Sequence, residues 1–170
     1  MQVRPARPGD ARAVAEIHVR AWQAAYAAIV PAEYLASLSI EKHEALWSDG
    51  IAKGSPQLLV AVESQQVLGW VSFGPSRDDD ASAGVGEVWA FYVAPSAWGS
   101  GVGKTLWSHM LPLLQRQGLR RITLWVFPEN ERAARFYRSL GFTLEPGSAR
   151  QFTLGGVLLN EVRHVRDAAA

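Results

Sequence analysis

Pro95-Ser96-Ala97-Trp98-Gly99-Ser100-Gly101-Val102-Gly103-Lys104 follows an apolar run, Val88 to Val93, that reads as a strand. It opens into Thr105-Leu106-Trp107-Ser108-His109-Met110-Leu111, which reads as a helix. Glycines at alternate positions let the backbone approach a ligand closely, with amide N–H groups turned inward. The helix start behind them adds its partial positive charge, and the combination suits a pyrophosphate or another anion.

Counting excludes the two best-known phosphate loops. A P-loop needs Gly, four residues, then Gly-Lys-Ser/Thr. Gly103-Lys104-Thr105 ends such a motif, but Trp98 stands where its first glycine belongs, and Gly99 is one residue too close. The run after the next helix, Arg121 to Phe127, ends in Pro128-Glu129 without an Asp placed for Mg²⁺. The dinucleotide fingerprint G-x-G-x-x-G fails too, because this loop runs G-x-G-x-G.

Composition narrows the class. With 170 residues, 48% hydrophobic and 19% charged, the chain suits one globular domain with a substantial core. A net charge of +1 argues for neither a nucleic-acid nor a membrane partner. No apolar run nears the roughly 20 residues of a membrane span, and Met1 to Arg12 lacks the apolar core of a signal peptide. The absence of cysteine removes disulfides and thiolate chemistry and makes a reducing cytoplasm the expected compartment. His18, His43, His109 and His164 show no metal-binding spacing, so no metal is expected.

The pattern predicts one mixed α/β domain over residues 1–170, without repeats or linkers. A short edge strand over Gln2 to Arg7 precedes a helix from Ala11 to about Ala25, with Asp10 placed to cap it. Val14, Ile17, Ala21, Ala24 and Ala25 share one face of that helix. Helical stretches follow from Pro31 and over Glu41 to Ala52, then a hairpin of Gln57 to Glu63 and Val67 to Phe73. A polar loop, Arg77 to Gly86, carries Asp78-Asp79-Asp80. Glu87 to Ala94 is a strand, the helix behind the glycine loop runs to about Gly118, and Arg121 to Phe127 is the next strand. A helix over Glu129 to Leu140 leads to late strands at Gly141 to Glu145 and Val157 to Val165.

A second constellation lies about 30 residues after the glycine loop: Asn130-Glu131-Arg132-Ala133-Ala134-Arg135-Phe136-Tyr137-Arg138-Ser139-Leu140-Gly141-Phe142. With Val93-Ala94-Pro95 and Trp98 to Gly103, it resembles the GNAT family of acetyl-CoA-dependent N-acyltransferases. That family pairs Val-x-Pro and Arg/Gln-x-x-Gly-x-Gly/Ala with a later helix of the form Asn…Ala…Phe/Leu-Tyr-x-x-x-Gly-Phe. The chain departs at the first loop position, which is Trp98 and carries no charge.

The resemblance implies a GNAT-like fold, a mixed, mostly antiparallel central sheet of about six to seven strands flanked by helices. It implies acetyl-CoA as cosubstrate, held by Tyr92, Val93, Trp98, Gly99, Ser100, Gly101, Val102, Gly103, Lys104, Asn130 and Tyr137. With Trp98 uncharged, pyrophosphate recognition falls on the backbone amides from Gly99 to Lys104. Glu87 is the implied general base and Tyr137 the group beside the cofactor sulfur. On the residues alone, Asn130 reads equally as a helix N-cap, Tyr137 as a core aromatic, and Glu87 as a solvated strand end.

The implied reaction is direct transfer of an acetyl group to a primary amine of a small molecule or peptide, in a ternary complex. Trp22, Tyr26, Trp89 and Phe91 are candidates to line the acceptor pocket, in a chain with seven tryptophans. Asp78-Asp79-Asp80 reads as a solvated loop or an attractor for a cationic amine. The exposed end of Val157 to Val165 and the aromatic N-terminal helices are candidate homodimer contacts. An acyl-CoA-binding regulatory module without catalysis and a kinase with an irregular phosphate loop are the alternatives.

Overall fold

The computed structural model describes residues 1–168. In chain order its elements are β1 (Gln2–Pro5), α1 (Ala11–Ala25), α2 (Ala32–Ser37), α3 (Ile40–Lys53), β2 (Gln57–Glu63), β3 (Gln66–Pro75) and β4 (Val85–Val93). There follow α4 (Val102–Arg116), β5 (Arg121–Val126), α5 (Glu131–Ser139), β6 (Thr143–Leu144), β7 (Arg150–Leu154) and β8 (Val157–Asp167).

The sheet has eight strands in the order β1-β2-β3-β4-β5-β8-β6, with β7 paired to the first half of β8. Every pairing is antiparallel except β4 with β5. The expected mixed, mostly antiparallel architecture is therefore present. The strand absent from the sequence reading is β7, bounded by Gly147-Ser148 and Gly155-Gly156.

Strand alternation divides the apolar residues between the two faces. Leu59, Ala61, Val71, Phe73, Val88, Ile122 and Leu124 pack with Leu106, Met110 and Leu114 of α4 on one face. Val60 and Trp70 face Val14 and Ile17 of α1 on the other. Trp70 is fully buried, and its indole N–H donates to the Val14 carbonyl at 3.0 Å, which fastens α1 to the sheet. Ala24 is exposed, and His18 and Trp22 occupy that helix face instead.

Asp10 precedes α1 but gives it no side-chain cap. Its carboxylate accepts two bonds from the Arg4 guanidinium, at 2.7 and 2.9 Å, and one from the Arg7 backbone N–H at 2.7 Å. The Arg4 bonds hold the Asp10 carboxyl below its ordinary range. The residue chosen as a cap ties β1 to the start of α1.

The functionally decisive feature is where β4 and β5 part. They pair only at Val85–Arg121, Gly86–Ile122 and Glu87–Thr123, although β4 continues to Val93 and β5 to Val126. On its other edge β4 carries a bulge: Ser72 faces Ala90 and Phe73 faces Val88, leaving Trp89 as the extra residue. A bulge bends its strand and increases its twist, and the gap between β4 and β5 opens at this point.

Candidate active site

A cavity of about 490 Å³ passes through that gap. Phe91, Val93, Phe136 and Tyr137 line it from the α4–α5 face, and Tyr26, Tyr92 and Phe127 from the α1 face. It therefore crosses the sheet.

At the α4 end lies the glycine loop. Gly99 and Gly101 have φ of 79° and 91°, left-handed values that glycine adopts without steric cost, and a Cβ on either would stand in open space. A Cβ on Gly103 would come within 2.9 Å of Phe136 Cζ, so glycine is needed there for close packing of α4 on α5. The first partnered N–H after the loop is that of Thr105, to Gly101 O at 3.0 Å. Among the described residues no acceptor takes the N–H groups of Gly99, Gly101, Val102, Gly103 or Lys104. A set of free donors at a helix start suits an anion.

Trp98 fixes the loop to β4 through its indole N–H, which donates to Val93 O at 2.9 Å. Charge reaches the loop from elsewhere: the Arg132 guanidinium carbon lies 3.2 Å from the centre of a Trp98 ring. No carboxylate pairs with Arg132 among the described residues. Arg132 and Lys104 both line the cavity. Asn130 does too, while its side-chain oxygen accepts from Ala133 N at 3.2 Å, so it is also the N-cap of α5.

The far end of β4 presents an unused donor. Ala94 N donates to Leu68 O at 2.8 Å, and antiparallel pairs alternate between bonded and non-bonded. Val93, opposite Gly69, is a non-bonded position and turns its N–H away from β3, toward the gap.

Three tyrosines converge on the cavity. Trp22 Nε1 donates to the Tyr92 hydroxyl at 2.8 Å, and Tyr26 packs edge-on against Trp22 with ring centroids 5.0 Å apart. Tyr137 is buried against Phe91, Phe136 and Phe142. Burial raises the pKa of all three phenols, Tyr26 and Tyr137 well above the ordinary value. All three are protonated at neutral pH.

Of the residues expected from sequence, Tyr26, Phe91, Tyr92, Val93, Trp98, Gly99, Gly101, Val102, Gly103, Lys104, Asn130 and Tyr137 line this one cavity. Trp22, Glu87, Trp89 and Ser100 do not. Trp22 stands behind Tyr92, and Ser100 turns its hydroxyl to Ala97 O at 2.7 Å. Trp89, displaced by the bulge, packs under the Arg77 guanidinium and donates to Pro75 O at 3.1 Å.

Glu87 is 3% exposed, and both its oxygens are taken by Arg77: Oε2 by the backbone N–H at 2.8 Å, Oε1 by Nη2 at 2.5 Å. Glu87 thus pairs with Arg77 and is not one of the cavity walls. The Asp78-Asp79-Asp80 loop is likewise not a free acidic patch. Asp78 accepts from Trp125 Nε1 at 3.0 Å, and Asp78 and Asp80 both bind Arg163. Reading the sequence missed Ala21, Ala25, Ala97, Trp125, Val126, Phe127, Arg132, Ala133 and Phe136 as cavity walls. Arg132, Ala133 and Phe136 carried a signal, since they fall inside the Asn130 to Phe142 motif, as did Ala97 inside the glycine-loop stretch.

A model of the acetyltransferase (GNAT) family matches residues 13–142. The chain belongs to the GNAT acetyltransferase family. This GNAT chain is 30% identical to the uncharacterized N-acetyltransferase YuaI of Bacillus subtilis over 160 residues, 94% of this chain and 89% of YuaI. Its fold matches the PaiA N-acetyltransferase of Thermoplasma acidophilum, solved in complex with coenzyme A, with a TM-score of 0.79 and 20% identity over 98% of each chain. It also matches YncA of Salmonella typhimurium, solved with its cofactor acetyl-CoA, with a TM-score of 0.74 and 23% identity over 99% of this chain and 94% of YncA.

The donor set of this GNAT protein fits coenzyme A. Free backbone N–H groups, Lys104 and Arg132 gather at one end of the cavity, where a pyrophosphate needs them. A passage walled largely by apolar side chains leads from there between β4 and β5. No helix among the described residues is long and apolar enough to cross a membrane.

Proposed function

We propose that this protein is an N-acetyltransferase that moves the acetyl group of acetyl-CoA directly to a primary amine of a small molecule or peptide, in a ternary complex. The observation that carries this reading is the cavity crossing the sheet, with anion donors at the α4 end and aromatic rings at the α1 end. Such a passage lets two substrates meet from opposite faces, which suits direct transfer.

Bound there, acetyl-CoA supplies an activated thioester. The N–H groups of Gly99 and of Gly101 to Lys104 hold its pyrophosphate, with Arg132 and Lys104 adding charge. Phe91, Val93 and Phe136 wall the passage and align the reacting groups. The Val93 N–H donates to negative charge developing on an oxygen in the gap.

Tyr137 donates a hydrogen bond on the sulfur side. A thiol titrates near 8.5 and a free phenol near 10, so full proton transfer from an ordinary tyrosine would be uphill by about 2 kcal/mol. Burial raises the Tyr137 pKa further, which favours donation without transfer. An alkylamine titrates near 10.4, so only about one molecule in 10³ is nucleophilic at pH 7. With Glu87 held by Arg77, the acceptor's ammonium loses its proton to bulk solvent, and the small neutral fraction of the amine attacks.

A thermal-shift comparison followed by a thiol-release assay tests the reading. Acetyl-CoA should raise Tm, ATP–Mg²⁺ should not, and a panel of amines should contain at least one that releases free thiol. Stabilisation by ATP–Mg²⁺ alone would point to a kinase. Acetyl-CoA binding with no turnover on any amine would point to a regulatory module.

A further inference from the structure

The α1 end of the cavity has aromatic walls, yet an amine acceptor brings a positive charge that an apolar wall cannot compensate. Glu87 faces Arg77, and Asp78 and Asp80 face Arg163, so these carboxylates are committed elsewhere. Among the described residues a further carboxylate, Glu161, neighbours the cavity walls without being one of them. Glu161 of β8 follows from the register: Val162 lies opposite Val126 and Arg163 opposite Trp125, which puts Glu161 on the same face as Trp125 and Phe127. Trp125 and Phe127 are cavity walls.

Only one of its oxygens is engaged. Oε2 accepts from Arg150 Nε at 3.1 Å and Nη2 at 3.0 Å, and among the described residues Oε1 has no partner. Arg150 itself lies flat on Trp125, 3.6 Å from a ring centre, so the ion pair is fixed to the cavity wall. The Glu161 side chain is 20% exposed, partly desolvated but reachable. Its charge is felt within the cavity: burial is the main cause of the raised pKa of Tyr26 and of Tyr92, and Glu161 adds to both.

Resting on the acetyl-transfer reading above, we propose that Glu161 is the acceptor-binding carboxylate. Its free Oε1 takes the ammonium of a small, apolar primary amine whose body lies against Tyr26, Trp125 and Phe127. The arginines beside Glu161 are already paired, Arg150 with Glu161 and Arg163 with Asp78 and Asp80, so the β8 side of the site offers no free cation to an acceptor carboxylate, and in the reading above Arg132 and Lys104 serve the pyrophosphate. Arylalkylamines fit this site, and amino acids with a free carboxylate do not.

Calorimetric titration of 2-phenylethylamine, tyramine and L-phenylalanine into the coenzyme A complex tests this without requiring turnover. The two amines should bind and L-phenylalanine should not. Glu161→Gln should weaken amine binding about tenfold or more, the worth of a hydrogen bond to a charged group, with coenzyme A affinity and apo Tm unchanged. In the thiol-release assay the same variant should raise the amine KM far more than it lowers kcat. Amine binding unchanged by Glu161→Gln, or a coenzyme A complex that binds neither amine, would overturn the assignment of Glu161. Failure to bind coenzyme A or acetyl-CoA would instead overturn the acetyltransferase reading itself.

Discussion

The Arg132 guanidinium lies on the Trp98 indole, 3.2 Å from a ring centre, and so brings a cation to a glycine loop that has none at its first position. A helix that follows β5 thereby completes a loop that follows β4. The arrangement predicts that Arg132→Met raises the Kd for acetyl-CoA about tenfold, the worth of a charge-assisted bond to phosphate. Trp98→Leu, which removes the seat but leaves the charge, should cost about threefold. Titration calorimetry checks both, and an unchanged Kd for Arg132→Met would mean the guanidinium merely rests on the ring.

Gly103 is the tightest point of the loop. A methyl group there meets Phe136 Cζ at 2.9 Å and Cε2 at 3.0 Å, and that ring is packed against Phe91 with centroids 5.5 Å apart. Gly103→Ala should therefore destabilise the fold by about 1–3 kcal/mol through overpacking. Pairing it with Phe136→Leu should recover part of the lost Tm.

Tyr137 and Glu87 are expected to behave in opposite ways. Tyr137→Phe removes the hydroxyl of a cavity-lining tyrosine and should lower kcat about 10²-fold, with acetyl-CoA binding and Tm nearly unchanged. Glu87→Gln weakens the bonds of a buried carboxylate to the half-exposed Arg77 and should cost about 1–2 kcal/mol of stability while kcat stays within about threefold. A large fall in kcat for Glu87→Gln at constant Tm would restore that carboxylate as the base.

His18 makes stability depend on pH. Its ring is stacked on Tyr92, its centroid lies 4.4 Å from that of His43, and its Nδ1 has no partner. Burial, with His43 adding, lowers its pKa to about 3, whereas an unfolded histidine titrates near 6.5. Between those values the unfolded chain binds more protons, so stability is full above pH 6.5 and declines as pH falls toward 3. His18→Gln should flatten the Tm profile between pH 7 and 5, a range above that in which Asp10 titrates. Parallel profiles for the two proteins would show that His18 does not contribute.

Local chemistry made most of this fold legible. The bounds of α1 and of β2 could be read directly, because an apolar face of period 3.6 and a short continuous apolar run leave little ambiguity. β7 was hidden because its five residues, Arg150–Leu154, alternate between exposed and half-buried and offer little apolar pattern. The Trp89 bulge was hidden for another reason. One extra residue shifts side-chain direction along the strand, and only the partner strand reveals it. That shift is why Trp89 lies outside the cavity and Phe91 within it. Arg132 over Trp98 and Glu161 beside Phe127 are meetings of distant segments, which no local pattern encodes.

The parting of β4 from β5 has a consequence for how this enzyme can diversify. One doorway is framed by α4, α5 and the glycine loop, and the other by α1 and Phe127, behind which Phe152 and Leu159 of the β7–β8 hairpin are packed. The two frames share only the lips of the gap. On the proposed acetyl-transfer reading, substitutions in α1 or in the hairpin behind Phe127 can exchange one acceptor for another while the nucleotide-side frame is inherited unchanged.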